Sequence, residues 1–192
     1  MRSKLFTSTL AIGLGLATPM VSAIVSPDIV MAQTVEEKKK EADRFLDLGN
    51  QQFDVSQFEA ALNSWQKALQ IYREIKDRRG EGAALGNLGS AYYSLGNYPK
   101  AIDYHEQRLA IAREIKDRLG EGTALGNLGS AYYFLGNYAK AIDYQEQRLA
   151  IAREIKDRLG EGVALGNLGS AYLSLGNYAK AIDYQEQRLA IA

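Results

Sequence analysis

Few residues in this chain are of a type that could perform chemistry. The 192 residues include one histidine, His105, and no cysteine. The lack of cysteine excludes disulfide bonds, thiolate nucleophiles, thiolate metal sites and lipid-modified cysteines. One imidazole cannot build a multi-histidine metal site, and its neighbours in the sequence offer no catalytic partner, so we interpret His105 as a packing residue. We therefore expect no enzyme activity, no catalytic or metal-binding residue and no cofactor.

Acidic and basic side chains are balanced, with 23 of each and a formal net charge of zero. An overall basic footprint for nucleic acid is therefore absent, and we expect no nucleic-acid partner. The carboxylates recur at a regular spacing, which suits exposed salt pairs such as Glu114 with Arg118 better than a unique acid/base pair. These features favour a binding function over catalysis.

An internal repeat dominates the sequence. Residues 80–119 recur at 120–159 with four differences, and the pattern begins again at 160–192. A diverged copy occupies 41–79. A fixed period of 40 residues is typical of stacked repeat proteins, in which each unit packs on its neighbours.

Each copy is predicted to form two helices joined by a short turn. In the third copy Asp117 can cap the first helix, Gly136 can end it in a left-handed conformation, and Asn137 can cap the second helix. Pro99 of the second copy falls in a first turn, where a missing N–H costs nothing. The predicted apolar faces comprise Leu125, Leu128, Tyr132 and Leu135 in the first helix, and Ala141, Ile142, Leu149, Ala152 and Ile155 in the second.

Residues 1–32 do not belong to the repeats. A basic start, an apolar middle and small residues before Ala32 indicate a secretory signal peptide, with cleavage after Ala32 preferred and cleavage after Ala23 second. An uncleaved membrane anchor is the alternative. We predict an exported protein, periplasmic or extracellular, with no membrane association after cleavage. Residues 33–40 are predicted to be a charged lead-in to the first helix.

The spacing of Leu88-Gly89, Tyr92, Gly96, Tyr98 and Ala101 resembles the tetratricopeptide repeat signature. The same pattern recurs as Leu128-Gly129, Tyr132, Gly136, Tyr138 and Ala141, and as Leu168-Gly169, Tyr172, Gly176, Tyr178 and Ala181. The resemblance implies an all-α fold, a right-handed superhelical solenoid of stacked antiparallel helix pairs. The 40-residue variety is similar to the repeats of Pins-type spindle-orientation adaptors. It also resembles the N-terminal arrays of bacterial, especially cyanobacterial, proteins with a caspase-like CHAT peptidase domain.

The family resemblance implies that the first helices line a concave groove that binds proteins or peptides. If Leu125, Leu128 and Tyr132 face the core, the adjoining stripe of the helix faces this groove. The predicted groove residues are Asn87, Ser90, Tyr93, Thr123, Asn127, Ser130, Tyr133, Phe134, Asn167, Ser170 and Leu173.

Differences among copies two to four support this stripe. Five repeat positions vary, and three of them lie on the stripe: Ala83/Thr123/Val163, Tyr93/Tyr133/Leu173 and Ser94/Phe134/Ser174. The asparagines at 87, 127 and 167 form a ladder whose amides could hydrogen-bond a peptide backbone. The alternatives are a solvated position or a hydrogen bond to the next repeat. The aromatic side chains could anchor a ligand or pack between repeats.

Arg108, Arg148 and Arg188 stand where the first copy has Ala68. They could reach into the groove and meet acidic ligand groups. The favoured interpretation is that they extend beside acidic neighbours on their own helices, namely Glu106, Glu146 and Glu186 or Asp103, Asp143 and Asp183.

The leading functional prediction is an exported protein–protein interaction scaffold that binds an extended peptide or protein partner in the groove. One alternative is a regulatory or sensor array of a larger protein with a C-terminal CHAT peptidase-like domain; another is a self-stacking structural spacer. Because the copy at 160–192 stops in mid-pattern, we interpret it as truncated and the chain as a fragment, with end-to-end self-association through the uncapped C-terminal repeat as a further expectation.

Overall fold

The computed structural model describes residues 27–191, which form helices and turns without any strand. The helices are α1 Pro27–Asp54, α2 Phe58–Glu74, α3 Arg78–Ser94, α4 Tyr98–Glu114, α5 Arg118–Phe134, α6 Tyr138–Glu154, α7 Arg158–Ser174 and α8 Tyr178–Ala190. Each helix packs on the one before and the one after it, and alternate helices α1, α3, α5 and α7 also touch. The predicted all-α solenoid of helix pairs is therefore confirmed.

Side-chain caps define where the helices begin. Asp117 accepts a hydrogen bond from the Gly120 N–H at 2.9 Å, and equivalent aspartates cap α3 and α7. Asn137 accepts from the Lys140 N–H at 3.2 Å, and equivalent asparagines cap α4 and α8. Pro99 lies in the first turn of α4. These cap predictions are confirmed.

Two kinds of turn alternate along the array. Turns within a repeat place Gly96, Gly136 and Gly176 in the left-handed region with φ between 72° and 76°, as predicted for Gly136. Turns between repeats place a lysine there instead, with φ of 59°, 57° and 59° at Lys76, Lys116 and Lys156. In both kinds the following residue donates its N–H back to the last helical turn, as Asp117 does to the Ala112 carbonyl at 2.8 Å.

The first helix is longer than the others at 28 residues, because it begins at Pro27. The predicted lead-in at 33–40 therefore lies inside α1, and so does the preferred cleavage position after Ala32. Residues 1–26, with the second-choice position after Ala23, lie outside the described residues. Between residues 27 and 191, no helix is both long and apolar enough to cross a membrane.

The core consists of repeated leucine pairs on the first helix of each unit. Leu85, Leu88, Leu125, Leu128, Leu165 and Leu168 are all fully buried. The prediction of the apolar faces is wrong for two residues, because Leu135 and Ile155 are 46% and 36% exposed. Each lies just past the end of its helix, where the chain has turned away from the packed face.

A chain of ion pairs joins successive helices. The Glu121 carboxylate is buried between Arg113 of α4 and Arg118 of α5, and Arg118 continues to Glu154 of α6. The same arrangement occurs one repeat earlier, where Arg78 binds both Glu81 and Glu114. The predicted Glu114–Arg118 pair is therefore wrong, because Glu114 pairs with Arg78, and Arg118 pairs with Glu121 and Glu154.

Candidate functional site

Three clefts follow one another along the array. Cleft 1, of about 190 Å³, is lined by Ser90, Tyr93, Ser94, His105, Asn127 and Ser130. Cleft 2, of about 240 Å³, is lined by Tyr93, Gly129, Ser130, Tyr133, Phe134, Ala141, Gln145, Asn167 and Ser170. Cleft 3, of about 350 Å³, is lined by α7 and α8 residues that include Ser170, Leu173 and Gln185. Because neighbouring clefts share Ser130 and Ser170, they form one continuous surface, called the groove below.

Most of the predicted site residues lie together in this groove. The nine that line the clefts are Ser90, Tyr93, Asn127, Ser130, Tyr133, Phe134, Asn167, Ser170 and Leu173. They come from the second half of α3, α5 and α7, which places equivalent residues of successive repeats side by side. Ligand binding by these residues stays a prediction.

Two predicted residues, Asn87 and Thr123, do not line the clefts. Asn87 donates its amide N–H to Asn50 Oδ1 at 2.9 Å, and that oxygen also accepts from the Trp65 indole at 3.1 Å. Asn87 is therefore engaged in the contact between α1 and α3. Thr123 lies nearer the start of α5, where its hydroxyl donates to the Leu119 carbonyl at 2.9 Å.

The asparagines of the later repeats are free of such contacts. Asn127 and Asn167 are partly buried at the rims of clefts 1 and 2, and neither side chain forms a hydrogen bond with the described part of the chain. Copy two differs because Asn50 of the first copy stands where Ser90 and Ser130 stand in later copies. A serine hydroxyl is too short to reach the neighbouring asparagine, so those amides remain available.

The serines of the groove are held by their own helices. Ser90, Ser130 and Ser170 each donate their hydroxyl to the carbonyl four residues earlier, at 3.0 Å in every case. That hydrogen bond uses the only donor of each hydroxyl, so the exposed lone pairs can only accept. The serines thus present a row of acceptors along the groove.

The floor of the groove was missed by the sequence-based prediction. His105 in cleft 1 and Gln145 in cleft 2 occupy equivalent positions and are each 1% exposed. Gln145 Nε2 donates to the Gly126 carbonyl at 3.0 Å, whereas Gln145 Oε1 and His105 Nδ1 are buried without a hydrogen-bond partner. Burial, with a smaller contribution from Arg108, lowers the pKa of His105 to about 4. The imidazole is therefore neutral at pH 7.

A sequence signal for this floor existed. His105 and Gln145 mark one of the five positions that vary among the copies. The interpretation of His105 as packed holds for its burial, but the same side chain also lines a cleft. The variable position of Thr123, by contrast, does not line the clefts. Three of the five variable positions line the groove, which is the predicted number. The position of His105 and Gln145 takes the place of the position of Thr123 among these three.

Aromatic rings form the wall between clefts 1 and 2. The Phe134 ring stacks on Tyr98 with centroids 5.5 Å apart and meets Tyr93 and Tyr133 edge-on at 5.6 Å. In the next repeat Ser174 replaces this phenylalanine and its hydroxyl lies 3.1 Å from the Tyr133 hydroxyl. The aromatic side chains therefore pack between repeats and also line the clefts.

The arginines of the second helices do not extend beside their own acidic neighbours, so the favoured prediction is wrong. A Cβ built on Gly86 would lie 2.6 Å from Arg108 Nη1, and one on Gly126 would lie 2.5 Å from Arg148 Nη1. Each guanidinium lies in the space left by a missing side chain on the first helix of its repeat. Neither Arg108 nor Arg148 forms an ion pair with residues 27–191.

The groove offers no metal site. Within residues 27–191 no group of three His, Asp or Glu side chains is placed to hold a metal ion. The side chains that line clefts 1 and 2 are hydroxyls, amides, an imidazole, aromatic rings and the methyl group of Ala141, with no carboxylate, lysine or arginine among them. Such a surface can hydrogen-bond and stack against a ligand.

Comparison with solved structures shows the same architecture elsewhere. Aspartyl phosphate phosphatase F from Bacillus subtilis is similar over 80% of this chain and 40% of its own, with a TM-score of 0.76 and 19% identity. A signal transduction ATPase with a tetratricopeptide repeat sensor, from Pyrococcus horikoshii, is similar over 83% and 26%, with a TM-score of 0.74 and 23% identity. The chain thus spans less than half the length of both proteins, and the likeness concerns the fold.

A smaller structure is matched almost entirely. The tetratricopeptide repeat domain of Arabidopsis FLU is similar over 59% of this chain and 95% of its own, with a TM-score of 0.57 and 26% identity. Among curated proteins, none matches the chain.

The repeats themselves match a family model. The model for the tetratricopeptide repeat aligns with residues 43–114 and 116–192, which together make up most of the sequence. The matched region contains the leucine pairs of the core, the capped helix pairs and the whole groove. This chain belongs to the tetratricopeptide repeat family.

Proposed function

We propose that the chain is an interaction scaffold that holds an extended segment of a protein partner in the groove. One observation carries this proposal: Asn127 and Asn167 line clefts 1 and 2 with side-chain amides that have no hydrogen-bond partner among residues 27–191. Such amides are free to donate to and to accept from a bound ligand.

The chemistry of the groove suits a polypeptide backbone. The amides of Asn127 and Asn167 can donate to a carbonyl and accept from an N–H, whereas the serines can only accept. Tyr133 and Phe134 offer aromatic surface beside these polar groups, and aromatic anchors supply much of the affinity in protein interfaces. A backbone with alternating N–H and C=O groups and apolar side chains satisfies both requirements.

Site-specific photo-crosslinking tests this function. A benzophenone amino acid placed at Phe134 lies in the groove, whereas the same residue at Ala150 lies on the exposed side of α6. We expect the Phe134 derivative to capture a defined partner from the secreted protein fraction, and the Ala150 derivative to capture none of it. Equal capture at both positions would contradict a groove-bound partner.

A matched pair of variants then tests the asparagines. The double variant Asn127→Ala/Asn167→Ala removes amides that have no partner in the chain, so it should weaken crosslinking at Phe134 without lowering the melting temperature. Asn87→Ala removes a structural hydrogen bond to Asn50, so it should lower the melting temperature and leave crosslinking nearly unchanged. The reverse pattern would exclude the amides as ligand-binding groups.

We also propose that the protein is exported and acts in the periplasm or outside the cell. The support is the basic start, apolar middle and small residues that precede Ala32. Expression of the full chain in a bacterial host, followed by N-terminal sequencing of the secreted product, tests this proposal. A mature protein that begins at Gln33 is expected, and full-length protein retained in the cell would contradict export.

A further inference from the structure

The helix α8 has one apolar face that the rest of the described chain leaves open. Ile182 and Leu189 on this face are 59% and 76% exposed. At most 9% is exposed of the equivalent residues in α4 and α6, which are Ile102, Leu109, Ile142 and Leu149. The difference arises because α5 packs on α4 and α7 packs on α6, whereas no helix among residues 27–191 packs on this face of α8.

Cleft 3 continues this open face. Besides Ile182 and Leu189, it is lined by Leu173 at the end of α7 and by Tyr178 at the start of α8, which are 56% and 65% exposed. Single exposed apolar side chains are common on protein surfaces, but a contiguous group indicates a site of interaction. These four residues are called the end face below.

The two internal junctions show what kind of segment fits such a face. Ile102 and Leu109 of α4 form one buried cluster with an alanine-leucine face of α5, which consists of Ala124, Leu125, Leu128 and Ala131. Ile142 and Leu149 of α6 do the same with the equivalent face of α7, which consists of Ala164, Leu165, Leu168 and Ala171. The end face is therefore complementary to a helix with the pattern Ala-Leu-x-x-Leu-x-x-Ala.

A second copy of the chain does not supply such a helix. In the described chain α1 is the one first helix without a helix before it, and Arg44 and Gln51 stand there at the positions of Ala124 and Ala131. Both side chains are exposed on α1, and burying them against α8 costs their desolvation. Two α8 helices packed about a two-fold axis are also unfavourable, because Glu186 lines cleft 3 near the middle of α8 and would meet its own copy.

We propose that the end face binds one amphipathic helix of a partner protein, whose contact face carries the pattern Ala-Leu-x-x-Leu-x-x-Ala. The bound helix takes the place on α8 that α5 takes on α4 and that α7 takes on α6. In this mode of recognition the apolar face of a ligand helix lies in a hydrophobic groove. The inference goes beyond the proposed function, because the ligand is helical and lies at the end of the array rather than along clefts 1 and 2.

The probe is a fluorescein-labelled peptide with the sequence of residues 117–135. Gly122, Gly126 and Gly129 of α5 face α6 of their own repeat, since Cβ atoms built there would meet side chains of α6. Replacing these three glycines by alanine in the peptide therefore raises its helix propensity and leaves the contact face intact. The control peptide carries in addition Ala124→Arg and Ala131→Gln, which copy the residues of α1.

We expect the 192-residue chain to bind the first peptide, and to bind the control peptide at least about tenfold more weakly, in fluorescence anisotropy. The double variant Ile182→Asp/Leu189→Asp should weaken binding of the first peptide at least about tenfold, because it places two charges on the end face. Leu159→Asp is the matched control, since Leu159 is 80% exposed at the start of α7 and its replacement should leave binding unchanged. Circular dichroism melts confirm that each variant is folded.

Equal affinity for the two peptides, no binding of the first peptide, or equal effects of the double variant and Leu159→Asp would overturn this inference. A dimer of the chain in light scattering that the double variant abolishes would also overturn it, because a second copy would then cover the end face. The crosslinking at Phe134 tests the proposed function separately, and it should be the same in the double variant as in the original chain.

Discussion

The His105 ring lies against α3 at Gly89, where the helix has no side chain. A Cβ built on Gly89 would lie 2.6 Å from His105 Cε1 and 2.8 Å from both ring nitrogens. Glutamine occupies the same place over Gly129 and Gly169, and Trp65 does so over Gly49. Gly89 and its equivalents Gly49, Gly129 and Gly169 therefore leave space on the first helix for the side chain that packs there from the second helix.

This relationship predicts that Gly89→Ala destabilises the array. The ring is buried and rigid, so an added methyl group overpacks the contact, at a cost of about 1–3 kcal/mol that the better helix propensity of alanine offsets only in part. Urea denaturation measures the loss. Gly82→Ala is the control: its Cβ would meet only the flexible Ile111 side chain, at 3.3 Å, and the better helix propensity of alanine should offset that tight contact. Equal stability of both variants would contradict the claim that the His105 ring needs the space left by Gly89.

The neutral imidazole predicts a specific dependence on pH. Because the pKa of His105 falls to about 4 in the folded chain from an ordinary 6.5, protons bind the unfolded state first as pH drops. Stability should therefore fall between about pH 6.5 and pH 4, by up to about 3 kcal/mol. His105→Gln, which copies the third repeat, removes this component. Parallel stability curves for the two proteins over that range would contradict it.

The buried carboxylate of Glu121 predicts a second stability effect. Glu121→Gln leaves Arg113 and Arg118 facing a neutral amide, and we expect a loss of about 1–2 kcal/mol, reduced from the value for a fully buried pair because both arginines are partly exposed. Glu154→Gln changes a 55% exposed carboxylate in the same network and should cost much less than Glu121→Gln. Thermal melts of the two variants, compared at low and high salt, distinguish these outcomes.

The unpaired guanidinium of Arg148 predicts an increase in stability on its removal. Arg148→Met keeps a long side chain over Gly126 and removes a partly buried cation, so we expect a gain of up to about 1 kcal/mol in chemical denaturation. The double variant Gly126→Leu/Arg148→Ala, which reproduces Leu46 and Ala68 of the first copy, should also fold normally. A clear loss of stability in the methionine variant would show that the charge is structural.

The left-handed backbone of the turns between repeats predicts that glycine at this position raises stability. Lys116 is held at φ 57°, a conformation that disfavours side chains with a Cβ, so Lys116→Gly should raise stability by about 1 kcal/mol. Gly136→Ala provides the opposite case, because φ is 76° there and no atom lies within 4 Å of the added Cβ. We expect Gly136→Ala to lower stability by about 1 kcal/mol, and this loss reflects the backbone conformation alone. Thermal melts of the single variants measure both effects.

The helix limits could be predicted because their determinants are local. Asp117, Gly136 and Asn137 act through hydrogen bonds or backbone angles within a few residues, so their types are informative by themselves. Lys116 could not be predicted, since lysine has no preference for the left-handed region. The geometry of the turn imposes that conformation, through hydrogen bonds from the turn back to the helix.

The partners of the arginines could not be predicted for a different reason. Arg148 was compared with acidic residues on its own helix, but its neighbour is an empty space over Gly126 of α5. A pattern of residue types shows which groups attract one another and does not show where a side chain is missing. The hydrogen bond of Asn87 could not be predicted either, because its partner Asn50 belongs to the diverged first copy.

The ion pairs Arg73–Glu81, Arg113–Glu121 and Arg153–Glu161 make every junction between copies alike. A copy inserted or deleted as a whole therefore meets a matching junction on both sides. Nearly identical coding segments recombine out of register, so a single genetic event can lengthen or shorten the array without creating a foreign interface. The number of clefts and the chemistry of each cleft can then evolve independently, the first by recombination and the second by point mutation at a few lining positions.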